Sequence, residues 1–556
     1  MRLNLFVFLL FVGAAVSSVL GQTYHFASHG GGTKKEEFLD FAVDGDENSY
    51  VLLKYEDNVD FGGVAFTNPS KNSVLVRYDQ EGNQTLVKNL PAESSGFFFG
   101  ALGVSDAGVV VAAAPTKSGT LDGHPVYSGN FIGKLGADGA FEWILQPVDR
   151  IDNVRQFLEF RVTAIEVTRS AIYVAATANG RITLNGVTDP GFANNDQHAA
   201  ILIKLDMAGN VAWIRRIPTP EVNNHPTIGG GMDHILPSSD GTHLYVAGKV
   251  GDGSYNPYEV AYVAKFRTDG AFVWLRKTSS SGSDSWGIAE ASNGDVVTGF
   301  GVGGPQVIDF GDGAILEESP TGWLGALARF DKNGNVQALR YVSEALLAEN
   351  SILTPSNRMR LHHVTLDPSD HVVLIGRTVG NQTLKNDIGL NSTSGLLGTS
   401  EDVAVIVCDL DFNPIEAHAN TGSNNEAAHK GAVRNGKLYF AGEYESYSHP
   451  FLGNFGPQFG EHAFVSAGDQ DIFVTSLGLP IFGSPLAIGF RLSAESGAMT
   501  LSWPATFSGV VVNASADLSS DGWTVPDLNP SLENDQWTVT IPLEASAAFF
   551  RLIQED

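Results

Sequence analysis

The strongest constraint on the fold is a strand–turn–strand segment that recurs along the chain. Its best example is residues 199–217 (AAILIKLDMAGNVAWIRRI), where a β-branched, apolar run leads through a short turn into a second apolar run. Gly209 stands in this turn, at a place where the positive φ of a tight turn suits glycine at the lowest cost. The segment therefore predicts a β-hairpin that has a structural role and no chemistry of its own.

Five further copies of this hairpin align on the turn glycine. They are residues 74–86, 131–143, 262–274 and 327–339, and residues 404–417 with Asn413 in place of glycine. The turn residues recur at intervals of 57 to 79 residues, a period typical of propellers and other β-repeat arrays. Trp143, Trp213 and Trp274 each follow their glycine by four residues. We therefore expect them at equivalent places on outer strands, buried between repeats.

A second kind of hairpin precedes the first in each repeat. Its seven copies are residues 41–53, 103–114, 165–176, 235–248, 288–299, 364–376 and 432–442. Each consists of a short apolar strand, a polar turn and a strand rich in Val, Tyr or Leu. Two hairpins give four strands, which is one propeller blade. The sequence thus predicts an all-β fold, a seven-bladed β-propeller of four-stranded antiparallel blades followed by a small β-sandwich.

The seventh repeat lacks its last strand. It continues to residues 471–477 (DIFVTSL), but no turn glycine and returning strand follow. At the other end, residues 23–28 precede the first repeat in the place where later repeats are preceded by a returning strand. We predict that residues 23–28 form the outermost strand of blade seven, pair antiparallel with residues 471–477 and close the ring.

The repeat pattern ends near residue 480. We expect the propeller to comprise residues 22–480, a linker to comprise residues 481–485, and a separate β-sandwich to comprise residues 486–556. The aromatic residues of its expected core are Trp503, Trp523, Trp537, Phe549 and Phe550. The segments LSWP, ASADL and FFRL resemble a C-terminal module of secreted bacterial proteins, which implies attachment or folding support and no enzyme chemistry.

The N-terminal residues have the pattern of a secretory signal peptide. Arg2 is followed by an apolar run over residues 5–16 and by small residues that end at Gly21. This predicts a cleaved signal peptide at residues 1–21 and a secreted, cell-surface or periplasmic protein. No other segment reaches the roughly 18 apolar residues that a membrane helix needs, so membrane insertion is not expected.

Charge and cysteine content limit the partners and the cross-links. The net charge of −28 argues against nucleic acid or an anionic membrane as a partner. We expect a monomer whose ligand is a protein or a glycan. The single cysteine, Cys408, cannot form an internal disulfide, and its strand-like surroundings predict a small buried core residue.

Four segments of the repeats match a known pattern. They are residues 200–213 (AILIKLDMAGNVAW), 262–274 (YVAKFRTDGAFVW), 59–63 (VDFGG) and 308–313 (IDFGDG). Their order resembles the bacterial β-propeller repeat family known as SBBP, over residues 24–477. The repeats here are longer than usual for that family, and Leu86, Ala338 and Ala417 replace its tryptophan. The resemblance implies the fold and gives no catalytic residue.

Three short motifs suggest chemistry, and the sequence assigns each of them to structure. The Asp309-Phe310-Gly311 triplet has the letters of a kinase metal motif, but its sibling at residues 60–62 shows that it belongs to the repeat. Residues 44–55 begin like a calcium loop, yet they lack its glycine and its final glutamate, so a tight turn is predicted. The Asp206–Gly209–Trp213 spacing is one residue too short for the docking motif of quinone-binding propellers.

Histidines and one aspartate cluster where one repeat leads into the next. They are His225, Asp233, His234, His362 and His363. A propeller brings such connections to one face, so a metal site is conceivable, but the spacing matches no known site. We expect exposed histidines, or histidines with partners in the core, and the sequence assigns no catalytic, cofactor or metal residue.

The export signal, the repeats and the lack of a catalytic constellation favour an exported, non-catalytic binding or scaffolding protein that presents a propeller loop face to its ligand. Two alternatives are a polysaccharide-active enzyme with its site on that loop face and a structural component of the cell envelope. Whether the protein is an enzyme is left open, with a non-catalytic role favoured.

Overall fold

The computed structural model describes most of the chain. The described residues are 23–91, 100–115, 118–147, 160–179, 182–189, 198–217, 230–251, 259–278, 285–302, 307–311, 315–316, 324–348, 358–390, 401–420, 425–445, 447–449, 453–455, 458–459, 462–464, 470–478, 489–493, 498–504, 510–515, 531–533, 536–542 and 549–554. The predicted signal peptide, His225 and Trp523 lie outside them. The chain divides into two compact units, Met1–Gly478 and Leu479–Asp556.

The described residues of the first unit lie mostly in antiparallel strands. Those of its first half are β1 (Thr23–Gly32), β2 (Glu37–Val43), β3 (Ser49–Phe61), β4 (Val64–Tyr78), β5 (Gln84–Pro91), β6 (Ala101–Ser105), β7 (Gly108–Ala113), β8 (Gly119–Leu121), β9 (His124–Val126), β10 (Phe131–Leu135), β11 (Phe141–Leu145), β12 (Phe160–Val167), β13 (Ile172–Asn179), β14 (Thr183–Leu184), β15 (Val187–Thr188), β16 (His198–Leu205) and β17 (Val211–Arg216). Many of these strands are rich in branched apolar residues, which favour the pleated conformation.

The second half of this unit continues the pattern. Its strands are β18 (Gly230–Pro237), β19 (His243–Gly251), β20 (Glu259–Arg267), β21 (Phe272–Lys277), β22 (Ser285–Glu290), β23 (Val296–Val302), β24 (Ile308–Asp309), β25 (Ile315–Leu316), β26 (Leu324–Phe330), β27 (Val336–Tyr341), β28 (Arg358–Leu366), β29 (Val372–Val379), β30 (Gln382–Thr383), β31 (Gly389–Leu390), β32 (Glu401–Cys408), β33 (Pro414–Ala419), β34 (Glu426–Arg434), β35 (Lys437–Tyr444), β36 (Tyr447–His449), β37 (Gly453–Phe455), β38 (Gln458–Phe459), β39 (His462–Ala463) and β40 (Asp471–Gly478). In the part of this unit that the structure describes, two short helical segments interrupt the strands, α1 (Val342–Leu346) and the 3-10 turn Lys385–Asp387.

Each repeat forms a four-stranded antiparallel sheet. From first to last strand the sheets are β2-β3-β4-β5, β6-β7-β10-β11, β12-β13-β16-β17, β18-β19-β20-β21, β22-β23-β26-β27, β28-β29-β32-β33 and β34-β35-β40-β1. The first strand of every repeat contacts the first strand of the next, and β34 contacts β2. The first strands therefore make a closed circuit, and the fold is all-β and β-propeller-like.

Strand β1 joins the last repeat to the first. It pairs antiparallel with β40, from Thr23 opposite Gly478 to Gly30 opposite Ile472, which confirms the predicted pairing of residues 23–28 with residues 471–477. Its last two residues also pair with β3 of repeat one. Because no other described strand covers that side of β40, β1 removes an open edge from the sheet.

The three repeated tryptophans occupy equivalent places, as predicted. Trp213 and Trp274 are buried, and Trp143 is partly buried. Each indole N–H donates to a carbonyl in the turn of the next repeat: Trp143 to Met207 (3.2 Å), Trp213 to Thr268 (3.3 Å) and Trp274 to Lys332 (3.2 Å). The ring covers that turn's glycine, where an added Cβ would lie about 3 Å from ring carbons. We call each such contact a seam.

The seam between repeats five and six corrects the sequence alignment. Phe412, with a φ of 67°, takes the glycine place, because its N–H donates to the Asp409 carbonyl as in the other turns. Asn413 instead caps Asp409, so its assignment to the glycine position is wrong by one residue. The Phe412 side chain is fully buried in one cluster with Ala338, the small residue in the tryptophan place. The predicted burial of Cys408 is confirmed in the same cluster.

The second compact unit has six described strands. They are β41 (Gly489–Ser493), β42 (Ala498–Pro504), β43 (Val510–Ser515), β44 (Ser531–Glu533), β45 (Gln536–Pro542) and β46 (Phe549–Gln554). One sheet has the order β41-β42-β45-β44, and β43 pairs with β46 in a second sheet. Trp503 and Trp537 lie opposite each other on β42 and β45. Along the described residues of the whole chain, no helix has the length and apolar character needed to cross a bilayer.

Candidate functional site

Six of the seven first strands carry a β-bulge at the same place. In each, one residue near the start of the strand is skipped by the pairing with the second strand; β6 alone has regular register. The bulged residues are Leu39, Thr163, Asp233, Trp286, His362 and His429. The residues that follow them are Asp40, Ala164, His234, Gly287, His363 and Lys430. A bulge redirects side chains at the rims of closed sheets and beside active sites.

Bulges from five different repeats meet at one cavity of about 290 Å³. We call it the axial cavity, because the first strands enclose it. Its lining residues are Phe38, Leu39, Asp40, Gly100, Thr163, Ala164, Asp233, His234, His363, His429 and Lys430. The circuit of first strands therefore presents a ring of acids, imidazoles and one ammonium to a common space.

An ion pair spans the join between repeats seven and one. The Lys430 Nζ lies 2.6 Å from Asp40 Oδ1. Asp40 also accepts backbone N–H bonds from Phe41 and Leu102, both at 2.8 Å. Three donors thus fix the carboxylate on adjacent first strands, whereas the ammonium ends a long flexible side chain.

Two further histidines face each other across the cavity. The rings of His234 and His363 have centroids 6.1 Å apart, and the residue between them in the ring of repeats is Gly287, which has no side chain. Burial, helped by the charge of Lys430, lowers the pKa of His234 to about 4. Burial also holds the pKa of His363 well below its usual value. Both imidazoles are therefore neutral near pH 7. The Nε2–H of His234 donates to the Ser285 carbonyl at 3.3 Å, which leaves its Nδ1 as an acceptor.

A stack of three rings holds His429. Phe38 lies on one face with centroids 5.2 Å apart at 19°, and His362 lies on the other at 4.9 Å and 11°. The His429 Nε2 is 3.5 Å from Glu443 Oε2. Glu443 in turn accepts the Phe38 backbone N–H at 2.7 Å and a bond from the Gln470 amide. The ring stack fixes the plane of the imidazole and places its Nε2 near the carboxylate.

The charge state of Glu443 defines which tautomer His429 prefers. Burial raises the pKa of this carboxyl, but hydrogen bonds from His429 and Phe38 and nearby positive charge outweigh it and leave the pKa below its usual value. An ionised Glu443 favours the tautomer that carries its proton on Nε2. Nδ1 of His429 then keeps its lone pair, as expected of a general base oriented by a carboxylate.

A second cavity of about 300 Å³ lies on the other side of His429, between repeats six and seven. Its lining residues are Arg360, His362, Arg377, Glu401, Asn425, Glu426, Ala427, His429, Glu443, Glu445 and Gln470. The Arg377 guanidinium pairs with Glu401. Burial holds the pKa of His362 well below its usual value, so this wall of the second cavity carries a neutral imidazole.

The structure brings together most of the residues that the sequence singled out, but for a reason the sequence did not give. His234, His362 and His363 lie in first strands and not in the connections between repeats. Asp233 shares their cavity. Within the described ranges, no three His, Cys, Asp or Glu side chains are grouped in a way that could hold a metal ion.

The sequence prediction missed several residues of the two cavities: Asp40, His429, Lys430 and Glu443. A signal existed for Asp40 alone. Five of the seven copies of the second kind of hairpin begin directly after the residue that follows the bulge, so a column placed one residue earlier contains Asp40, His234 and His363.

The other motifs are turns, as predicted. Asp309 accepts the Gly311 N–H at 2.6 Å, and Asp60 accepts the Gly63 N–H at 2.8 Å. Asp44 accepts bonds from the backbone and side chain of Asn48, both at 2.8 Å, which makes the predicted tight turn.

No protein-family model and no curated protein matches the sequence. Among solved structures, the chain is similar to a mutant puromycin hydrolase complexed with PGG, with 13% identity and a TM-score of 0.39. It is also similar to a puromycin-hydrolyzing peptidase of Mycobacterium tuberculosis, with 10% identity and a TM-score of 0.38. In both cases the match covers 84% of this chain and 58% of the other.

These comparisons correct the functional prediction. Both solved structures are of hydrolytic enzymes, and this finding overturns the predicted non-catalytic binding or scaffolding role.

Proposed function

We propose that the first compact unit is a seven-bladed β-propeller and that its axial cavity is the active site of a hydrolase. The closed circuit of seven first strands supports the blade number. One observation carries the activity: His429, oriented by Glu443, lies beside Lys430 at the same cavity. A base, its orienting carboxylate and a cation are the groups that hydrolysis by a water nucleophile requires.

In this mechanism His429 acts as the general base. Its Nδ1 accepts a proton from a water molecule as the water oxygen attacks an electrophilic carbon of the substrate. The same proton then passes to the leaving group as the bond to it breaks, which restores the neutral imidazole. Glu443 stabilises the transient imidazolium because it is ionised and lies against Nε2.

In the same mechanism, Lys430 stabilises the negative charge that develops on the substrate. Its ammonium points into the cavity from Asp40 and can stabilise the oxygen that becomes negative as water attacks. The neutral imidazoles of His234 and His363 can hold the substrate by hydrogen bonds without adding charge. Asp40 has the supporting role of anchoring the lysine between turnovers.

The proposal is tested with purified protein and chromogenic esters, amides and lactones. We expect turnover of at least one class, and we expect Lys430→Met to lower it about 100-fold or more, the usual loss when an oxyanion partner is removed. The control is Lys332→Met, because Lys332 is exposed in a turn away from the cavity. A Lys430→Met variant as active as Lys332→Met would overturn the proposed site.

We also propose that the protein is exported and loses residues 1–21, and that its repeats belong with the SBBP repeats. The pattern of Arg2 and the apolar run supports export, and the quoted repeat segments support the family. Cell fractionation and N-terminal sequencing of the mature protein test export: a cytoplasmic protein that retains Met1 would contradict it.

A further inference from the structure

Glu166 lies in the axial channel next to the proposed site. It stands on β12 two residues after Ala164, which lines the cavity. Because alternate residues of a strand share a face, Glu166 faces the same space about 7 Å farther along the axis. Its side chain is only partly exposed and forms no hydrogen bond to the residues that the structure describes.

The charges around Glu166 come from strands on the other side of the channel. Lys430 and Arg434 on β34 attract its ionised form, and Asp40 on β2 repels it. The strands packed directly on β12 add few titratable groups: Asp233 and His234 on β18 and Tyr173 on β13, with none on β6 or β7. Lys430 is thus the cation that Glu166 shares with Asp40.

The carboxylates of Asp40 and Glu166 differ in how firmly hydrogen bonds hold them. Asp40 is held by the backbone N–H groups of Phe41 and Leu102 and is fixed next to the cavity. Glu166 has no such anchor among the described residues, and burial raises its pKa to about 7, so its charge changes in the physiological range. An ammonium on a flexible four-carbon stem can follow that change.

We propose that Glu166 is a positioning residue that controls where the Lys430 ammonium lies. While Glu166 is protonated, Lys430 stays on Asp40 and points into the axial cavity. When Glu166 ionises, a second carboxylate competes for the ammonium and draws it along the axis, away from the substrate. The inference rests on the proposed function for its catalytic consequence, but the movement of Lys430 can be measured without any substrate.

The first experiment measures how readily Lys430 reacts. The native full-length protein is treated briefly with acetic anhydride at pH 6 and at pH 8, and acetylation of Lys430 and of exposed Lys332 is quantified by mass spectrometry. Dividing the acetylation of Lys430 by that of Lys332 removes the general effect of pH on the reactivity of amines. We expect the Lys430 to Lys332 ratio to fall at least about threefold from pH 6 to pH 8 in the parent, because a second carboxylate holds the ammonium.

Two variants decide the outcome. Glu166→Gln should show no such fall, whereas Glu142→Gln, which removes a surface carboxylate paired with Lys134, should behave like the parent. The same ratios in the parent and in Glu166→Gln at both pH values would overturn the proposal.

A second readout uses turnover and separates the two proposals. If the protein hydrolyses a substrate of the panel, the parent should lose activity from pH 6 to pH 8 relative to Glu166→Gln. A shared pH profile of parent and variant would count against Glu166. If no substrate is turned over but the acetylation ratios differ as expected, the hydrolase proposal fails and the positioning role of Glu166 stands.

Discussion

The seams and the axial cavity are both built from positions that recur from repeat to repeat, yet they differ in what those positions contain. At the seams, Trp143, Trp213 and Trp274 make the same contact three times. At the axis, the residue after the bulge is Asp40, Ala164, His234, Gly287, His363 or Lys430. The seams repeat the same side chain, whereas the axial positions repeat only the backbone bulge.

The difference reflects what each region has to do. A seam must fill a constant gap, and where Ala338 replaces tryptophan, Phe412 fills the gap from the opposite side. At the axis the repeats face one another and not a copy of the same neighbour. A set of identical side chains there would be a ring of like groups, whereas different ones can form an ion pair, an imidazole pair and a base.

The largest expected effect is at the axis. His429→Ala removes the proposed base and should lower turnover about 10²- to 10⁴-fold, the range typical of general base catalysis. The free energy of unfolding should change by only about 1 kcal/mol, because His429 is partly exposed. His243→Ala, at the start of β19 and outside the cavity, is the control. Equal turnover of the two variants would exclude His429 from the mechanism.

At the seams we expect the reverse: a substitution should mainly lower the free energy of unfolding. Trp213→Ala removes a buried indole and its bond to the next repeat, and we expect it to lower the free energy of unfolding by about 3–5 kcal/mol in a denaturant titration. Trp143→Ala should cost less, because Trp143 is partly exposed. A loss below about 0.5 kcal/mol for Trp213→Ala would mean that the seam does not contribute to stability.

Glu166, in the axial channel, should also make the free energy of unfolding depend on pH. The pKa of Glu166 is raised from 4.5 to about 7 by burial, so between these values the folded protein holds a proton that the unfolded chain has released. Stability should therefore fall as pH rises through this window, by at most about 3 kcal/mol. Glu166→Gln should remove this part of the pH dependence. Parallel pH curves for the parent and Glu166→Gln would show that Glu166 does not titrate in the folded protein near pH 7.

The smallest expected effect is the difference between alanine substitutions at two turn glycines, one that contacts a seam tryptophan and one that does not. Gly270 and Gly294 both have positive φ, 87° and 82°, so alanine should be strained at either. A Cβ at Gly270 would meet the Trp213 ring at 3.0 Å, whereas at Gly294 it would meet no atom within 4 Å. We expect Gly270→Ala to cost about 1 kcal/mol more than Gly294→Ala in the free energy of unfolding. Equal costs would show that the indole yields without loss.

The sequence predicted the repeated part of the molecule well. Trp213 and its turn glycine recur with fixed spacing, and the spare strand at residues 23–28 matches a missing strand beside residues 471–477; both features are local patterns that a single chain displays. The one error of alignment, Asn413, arose because Phe412 adopts a positive φ that the residue type disfavours and that burial beside Ala338 compensates.

The site could not be predicted in the same way. His429 and Glu443 lie on the first and second strands of repeat seven, and Lys430 reaches Asp40 across a separation of 390 residues. Nothing in the spacing of these residues resembles a catalytic motif, because the bulges of different strands bring them together. The sequence showed several histidines, but their meeting depends on the closure of the circuit.

The pairing of β1 with β40 also depends on the order in which the chain is synthesised. Thr475 donates a hydrogen bond to the Phe26 carbonyl, and 449 residues separate the two along the chain. At typical elongation rates, β1 leaves the ribosome about 20–90 s before β40 exists. Throughout that interval residues 23–30 lack their pairing strand, and only Gly31 and Gly32 have partners on β3. The order of synthesis therefore makes the closure of the circuit around the axial cavity one of the last steps in the formation of the molecule.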